Sequence, residues 1–160
     1  MSQPPARESG FTLIEVLVVI SLLGTMMTIA VSGWSSWAKA SAHTGTAREM
    51  QTVMRQAHQR AVTEGRAICV WFDTTTNTYT LYRGSCEVST KTKIAGPYDT
   101  GASVVRLSSP SFTSPSGASA GVTFHARGTA WPGEVRVARD GSSKVFVLKV
   151  EGLTGRVSLV

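Results

Sequence analysis

The sequence Gly10-Phe11-Thr12-Leu13-Ile14-Glu15 opens an apolar run that continues as far as Val31. A helix from Phe11 to Val31 would be roughly 31 Å long, which matches the thickness of bilayer hydrocarbon. Glu15 is the single formal charge in this run. An isolated carboxylate inside such a span is unfavourable by about 2.5–3.5 kcal/mol on insertion scales. The stretch therefore predicts a membrane-spanning helix in which Glu15 needs a partner or a function.

This motif, placed after a short polar leader, resembles the N-terminus of type IV pilins and type II secretion pseudopilins. The resemblance implies a leader over residues 1–10, cleavage by a prepilin peptidase between Gly10 and Phe11, and N-methylation of Phe11. It also implies a transmembrane and filament-core helix over residues 11–33, in which Glu15 is the assembly carboxylate. Pairing between Glu15 and the terminal ammonium of Phe11, in the same or a neighbouring subunit, would offset the cost of desolvation.

Two other interpretations of the apolar run remain. Ala38-Lys39-Ala40 or Ala40-Ser41-Ala42 would suit cleavage after an ordinary secretory signal, but the run is longer than the 7–15 residues of a signal h-region and contains Glu15. A plain single-pass anchor fits the length of the run. That interpretation leaves Glu15 unexplained.

Length and charge limit what the rest of the chain can be. The 160 residues allow one domain of ordinary size besides the membrane segment. The formal net charge is +6, and it stays +6 without Arg7 and Glu8 of the leader. Such a surface favours acidic partners: nucleic acid, anionic lipid headgroups or cell-surface polymers. The alternative is a solvated surface with no specific acidic ligand, because many secreted domains are basic.

The two cysteines, Cys69 and Cys86, lie outside the cytoplasm if the helix inserts as the resemblance implies. An even number of cysteines in an oxidising compartment predicts one disulfide, and two buried free thiols are the alternative. The sequence has no CxxC motif and no His/Cys cluster with ligand spacing, so we expect neither a metal nor a cofactor.

Residues 34–65 form the amphipathic half of the predicted helix. Trp34 and Trp37 suit either an interfacial aromatic belt or packing against the soluble domain. Gly65 is the expected stop of the helix. Apolar residues recur at spacings of three and four and predict one buried stripe: Ala47, Met50, Val53, Met54, Ala57 and Ala61.

After Gly65 the pattern changes to short β-branched and aromatic runs, which predict a β-rich domain over residues 66–160. Asp140-Gly141 between two valine-rich runs is a strong hairpin signal. The segment 108–121 is rich in Ser, Pro and Gly and predicts a mobile surface loop with Phe112 as its one anchor. Strands are predicted over residues 67–72, 78–82, 104–107, 122–125, 134–139, 144–150 and 156–160, with a short one near Ile94.

The C-terminal series, with Phe124, Arg127-Gly128 and Thr154-Gly155-Arg156-Val157, resembles pseudopilin H of type II secretion and the FimT-type minor pilins. The expected fold is therefore α+β, a long N-terminal helix packed on an antiparallel sheet. The resemblance implies a single-pass protein of the bacterial inner membrane with an extracytoplasmic domain, incorporated into a pilus or pseudopilus. Its partners would be other pilins or pseudopilins, the prepilin peptidase and the membrane.

We find no catalytic constellation and expect no enzyme. His43, His58 and His125 are scattered, which predicts solvated or packed imidazoles, and no HExxH, nucleophile elbow or phosphate loop is present. The first hypothesis is a structural subunit of a pilus or secretion filament. The alternative is a minor pilin that binds DNA during uptake, although Gly155-Arg156-Val157-Ser158 lacks the second arginine of the Gly-Arg-x-Arg motif of DNA-binding relatives. Its candidate phosphate contacts are Arg127, Arg136, Arg139, Lys144, Lys149 and Arg156.

Overall fold

The computed structural model describes residues 11–100 and 105–160, without the side chains of residues 31–33. The leader, including Gly10, and the first residue of the strand predicted from Val104 lie outside the described residues. The chain divides into two compact units, one up to Ala38 and the other from Lys39 to Val160.

One helix, α1 (Leu13–Glu64), contributes to both units. It begins after Thr12, whose Oγ1 accepts a hydrogen bond from the backbone N–H of Glu15 and so caps the first turn. It ends at Gly65, which has a φ of 64°, and the N–H of Arg66 donates to the carbonyl of Ala61 in the bond typical of a glycine-terminated helix. The predicted stop at Gly65 is confirmed.

Two antiparallel sheets make up the rest of the second unit. The first has the strand order β3-β2-β1-β6, and the second has the order β5-β4-β7-β8-β9. The strands are β1 (Ile68–Asp73), β2 (Thr78–Arg83), β3 (Thr92–Asp99), β4 (Val105–Ser114), β5 (Gly117–Ser119), β6 (Gly121–Phe124), β7 (Gly133–Arg139), β8 (Val145–Val150) and β9 (Val157–Leu159). The α+β fold expected from the sequence is therefore confirmed.

Both predicted hairpins are present. In the β1–β2 hairpin the register pairs Ile68 with Arg83, and Asp73 closes the turn because its Oδ1 accepts from the N–H of Thr75 at 2.8 Å. The β7–β8 hairpin turns at Asp140-Gly141 and pairs Ala138 with Val145. Strand β8 has neighbours on both sides, as its two apolar faces predict.

The prediction of a mobile loop over residues 108–121 is wrong. This segment contains most of β4 and all of β5, because pairing with β7 and with β5 satisfies its backbone groups. Phe112 does serve as an anchor: it is buried and stacks on Phe72 with ring centroids 5.8 Å apart. The strand near Ile94 is also longer than expected and forms the eight-residue β3.

The core lies between the helix and the two sheets. From α1, the fully buried side chains are Ala47, Met50, Met54, Ala57 and Ala61, with Val53 partly buried, so the predicted stripe is confirmed. Small residues in this stripe let the helix approach the strands closely. Phe72 of β1 and Phe112 of β4 stack across the gap between the two sheets.

Two of the four sheet edges are closed by the chain itself. At the β6 edge, the N–H of Trp131 donates to the carbonyl of Thr123 at 3.1 Å, and Phe124 bridges to Ala130. At the β9 edge, the side chains of Gln51 and Arg55 both donate to the carbonyl of Val157 at 3.2 Å. The β3 edge carries Lys93 and Pro97, residue types that discourage further strand pairing.

Candidate functional site

The N-terminal end of the helix brings the two described residues of the predicted processing and assembly site onto one side. Phe11 and Glu15 line a shallow apolar concavity together with Val16, Val19 and Ile20. Phe11 is 82% exposed and Glu15 is also exposed. Among the residues that the structure describes, no cation pairs with the Glu15 carboxylate. The Glu15 carboxylate is therefore accessible to a partner.

The helix around this carboxylate is suited to a lipid or protein environment. Within the described part of the chain, α1 is the one helix long and apolar enough to cross a membrane, and its apolar window is not buried by the rest of the chain. Trp34 and Trp37 follow this window, are both exposed, and have ring centroids 5.5 Å apart. Exposed tryptophans at such a position favour the interfacial interpretation.

Cys69 and Cys86 form a disulfide, so of the two alternatives left open by the sequence the bonded one is confirmed. The bond joins β1 to the segment that leaves β2, and both cysteines are buried. Lys91 covers this region: its Nζ donates to the carbonyl of Cys86 and lies 4.7 Å from the centre of the Trp71 ring. Beyond Cys86, Glu87 accepts from the N–H of Ser116 at 3.1 Å and ties the segment to the β4–β5 turn.

The six candidate DNA contacts are spread along the length of β7 and β8 and over the turns at both ends of these strands. Arg127 and Arg156 lie on the turns that precede β7 and follow β8. Arg139 and Lys144 flank the Asp140-Gly141 turn at the other end of these two strands. Arg136 and Lys149 lie on the strands themselves.

Several of these cations are already engaged. Arg136 pairs with Glu134 at 2.9 Å, and Lys149 stands opposite Glu134 in the β7–β8 register. Lys144 lies over the Phe146 ring at 4.8 Å. Sites for a nucleic-acid backbone need cations that are free and aligned. The DNA-binding alternative therefore finds no support in this arrangement.

Of the solvated and packed imidazoles that the sequence left open, two histidines are packed, and their contacts could not be predicted. His43 is buried, its Nε2 lies 2.8 Å from the carbonyl oxygen of Val137, and its ring packs on Phe146. His58 lies 3.0 Å from the carbonyl oxygen of Gly128, and its ring packs on Phe124. Both therefore join the helix to the strands and turns. Their position on the flank of the apolar stripe is the one signal that could have indicated this role.

Three carboxylates outside the helix have a lowered pKa, and for Asp73 the chief cause is the hydrogen bond from the backbone N–H of Thr75. The pKa of Asp140 is lowered, chiefly by the hydrogen bond from the Arg106 guanidinium. The pKa of Glu87 is lowered by hydrogen bonds from Ser114 and Ser116. Asp140 and Glu87 are exposed. No group of three or more His, Cys, Asp or Glu side chains within residues 11–100 and 105–160 is arranged to hold a metal.

The fold is shared with solved structures of known bacterial proteins. The minor pseudopilin EpsH from the type II secretion system of Vibrio cholerae matches with a TM-score of 0.56 and 14% identity, over 77% of this chain and 95% of that chain. The type IV minor pilin FimU from Pseudomonas aeruginosa matches with a TM-score of 0.55 and 19% identity, over 78% of this chain and 92% of that chain. At these identities the likeness establishes the fold. A search among curated proteins finds no match.

Sequence families define the chain more closely. Residues 5–31 match the prokaryotic N-terminal methylation motif, so the chain belongs to the class of proteins that carry this motif at the N-terminus. Residues 46–154, which are 109 of the 160 residues, match the type II transport protein GspH. The chain therefore belongs to the GspH family.

Proposed function

We propose that this chain is a minor pilin or pseudopilin, a structural subunit that is assembled into the filament of a type IV pilus or a type II secretion system. The observation that carries the proposal is the exposed Glu15 carboxylate, which has no ion pair within the described residues and lies on an apolar helix that begins beside Phe11. Membership of the GspH family and the fold shared with EpsH and FimU support it.

The chemistry of assembly follows from the charge on Glu15. Cleavage after Gly10 would convert the amide nitrogen of Phe11 into an ammonium group, and N-methylation would leave that positive charge in place. An ammonium within reach of the carboxylate, in the same or a neighbouring subunit, would supply a partner for its charge. When helices bundle away from water, such a pair is more favourable than an isolated buried carboxylate.

The proposed partners and location follow from this role. The prepilin peptidase would act on the bond between Gly10 and Phe11, and other pilins or pseudopilins would pack against the apolar helix. Before assembly the helix would cross the bacterial inner membrane once, with the second unit on the extracytoplasmic side, where a disulfide is stable. The protein would act by assembly and not by catalysis.

Mass spectrometry of the full chain extracted from membranes tests this function. We expect a chain that starts at methylated Phe11 and is two hydrogens lighter because of the Cys69–Cys86 bond. A chain that still carries Met1, or that starts after Ala40 or Ala42, would overturn the role assigned to Glu15.

The variant Glu15→Gln tests assembly separately from processing. It removes the charge and keeps the size, so we expect normal cleavage and at least about a tenfold loss of incorporation into filaments, because the methylated N-terminus loses its partner. Glu49→Gln is the matched control, since Glu49 is an exposed helical carboxylate of the second unit. Equal losses in both variants would contradict the proposal.

A further inference from the structure

A group of arginines lies where the helix meets two turns of the second unit. Arg48 and Arg55 are seven residues apart, which places them on the same side of α1. The Nη2 of Arg55 donates to the carbonyl of Val157, the residue directly after Arg156. His58 lies 3.0 Å from the carbonyl oxygen of Gly128, the residue directly after Arg127. We call Arg48, Arg55, Arg127 and Arg156 the basic strip.

The packing around His58 fixes this arrangement. A Cβ added to Gly155 would lie 2.6 Å from the His58 ring and 2.7 Å from the carbonyl oxygen of Gly128. The two turns therefore touch the same imidazole from the same side of the helix. Because of this contact, the turns that carry Arg127 and Arg156 lie side by side, although the two residues are 29 positions apart in the sequence.

No ion pair among the described residues neutralises the basic strip. The ion pairs in residues 11–100 and 105–160 use Arg83, Arg106 and Arg136, and none uses an arginine of the strip. Glu151 is the carboxylate nearest in sequence to Arg156, and its Oε2 accepts from the Thr154 hydroxyl at 3.1 Å. All four arginines of the strip are exposed.

Apolar side chains accompany the strip. Leu153, at the tip of the turn between β8 and β9, is 90% exposed, and Val62 of the helix is 47% exposed. A Cβ added to Gly128 would lie 4.0 Å from a methyl group of Val62, so this valine borders the same turns. Arginines combined with exposed apolar anchors are typical of protein–protein interfaces, whereas a surface for phosphates alone has no need of Leu153.

We propose that the basic strip, with Leu153 and Val62, docks against a carboxylate-rich face of a neighbouring filament subunit that is a different protein from this chain. This inference rests on the proposed function, because it assumes a filament. Charge complementarity selects the partner. Residues 39–160 contain fifteen Lys or Arg and eight Asp or Glu, a formal net charge of +7, so a second copy would approach with the same sign. Like charges facing each other across an interface disfavour binding by several kcal/mol.

The test uses the full chain in its own membrane, with a photo-crosslinking amino acid in place of Leu153. The other pilin-like subunits of the same machine are co-expressed, each with a different epitope tag. We expect a crosslink to one of these subunits. Reversing the charge with Arg55→Glu and Arg156→Glu should lower its yield by more than about tenfold, and replacing the facing carboxylates of the partner by lysine should restore it.

Two controls separate local charge from net charge and from folding. Lys144→Glu with Lys149→Glu changes the net charge by the same amount at exposed positions outside the strip, and should leave the yield within about twofold of the original. Arg55→Gln with Arg156→Gln removes the charge, retains hydrogen-bond donors, and should give an intermediate yield. Near-ultraviolet circular dichroism of each variant checks that the fold is retained.

Several outcomes would overturn the proposal. Equal losses of crosslink yield in the strip and control variants would show that the net charge of the chain, and not the basic strip, controls the yield. A crosslink only between copies of this chain would assign the surface to self-association. Direct binding of a short DNA duplex that abolishes the crosslink would assign the strip to nucleic acid.

The N-terminal residue of each variant, read by mass spectrometry, distinguishes failure of the docking proposal from failure of the proposed function. If the chain still starts at methylated Phe11 and remains in the membrane while the crosslink persists in the strip variants, the docking surface alone is wrong. If the unaltered chain is not cleaved after Gly10, the proposed function fails first.

Discussion

At the scale of single residues, His58 joins three parts of the second unit. Its ring packs on Phe124 of β6, its Nε2 lies 3.0 Å from the carbonyl oxygen of Gly128, and Gly155 presses against the ring. An imidazole can meet all three because it has a flat apolar face and a polar edge. Residue 155 must therefore be small as well as able to adopt its φ of 61°.

Gly155→Ala tests this contact. The new methyl group would meet the His58 ring, and the left-handed backbone would be strained as well. Gly141→Ala is the matched control, because Gly141 has a φ of 74° and open space around an added Cβ. We expect Gly141→Ala to lower the free energy of unfolding by about 1–2 kcal/mol through strain alone. Gly155→Ala should lower it by about 1–3 kcal/mol more, through overpacking.

Thermal unfolding of the full chain in mild detergent, followed by tryptophan fluorescence, measures the difference between these variants. Equal effects of the two substitutions would mean that the turn at residue 155 accommodates the methyl group with no further loss in the free energy of unfolding. The contact with His58 would then not constrain the turn.

At the scale of elements, patterns that depend on near neighbours in sequence were predictable. The helical stripe follows from spacings of three and four, and the two hairpins follow from their turn residues. Segment 108–121 was not predictable from composition, since its order comes from distant partners. β7 pairs with β4, Phe72 stacks on Phe112, and Glu87 binds the β4–β5 turn.

The candidate sites differ in the same way, because one follows from local sequence and the other depends on tertiary contacts. Gly10, Phe11 and Glu15 form one contiguous motif, so the sequence alone indicates them. The basic strip joins residue 48 to residue 156 through tertiary contacts at His58, and no local pattern indicates it. The sequence-based list of DNA contacts included Arg127 and Arg156 but lacked Arg48 and Arg55.

Glu87→Gln tests why the β4–β5 turn is ordered. The pKa of Glu87 in the folded chain is lowered by hydrogen bonds from Ser114 and Ser116. Its ionised form therefore stabilises the turn at pH values above the unfolded pKa. This stabilisation is lost as the pH falls through the lower, folded pKa. Protection of the Ser116 amide against hydrogen exchange, corrected for the intrinsic rate, should fall over that acidic range.

In Glu87→Gln the protection of this amide should already be weaker at neutral pH and should no longer depend on the charge of residue 87. Glu151→Gln, which alters a different turn, should leave the Ser116 amide unchanged. Unaltered protection in Glu87→Gln would assign the order of this turn to strand pairing alone.

At the scale of the whole molecule, the two units differ in what holds them in place. The unit up to Ala38 offers an apolar helix with one carboxylate, and within the described residues it has no core of its own. The unit from Lys39 carries the buried core, the disulfide and a formal net charge of +7. Assembly through the first unit and selection of neighbours through the second would therefore use different physical forces.

Replacing both Cys69 and Cys86 by alanine tests how far the second unit depends on its disulfide. The bond spans a sequence separation of 17 residues, and closing a loop of similar length stabilises a protein by about 3 kcal/mol in the chain-entropy model. We expect the double variant, and the original chain after reduction, to lose about this much free energy of unfolding. A loss in the variant without one in the reduced chain would point to lost packing instead.

The covered edges of β9 and β6 would matter for a membrane-anchored protein before it is assembled into a filament. Molecules anchored in one membrane are confined to a thin layer, where they meet far more often than they would at the same number per volume in solution. An open strand edge would then invite copies to fuse into a shared sheet. Gln51 and Arg55 cover part of β9, and Trp131 and Ala130 cover part of β6, so these two edges are less open to pairing with another copy of the chain.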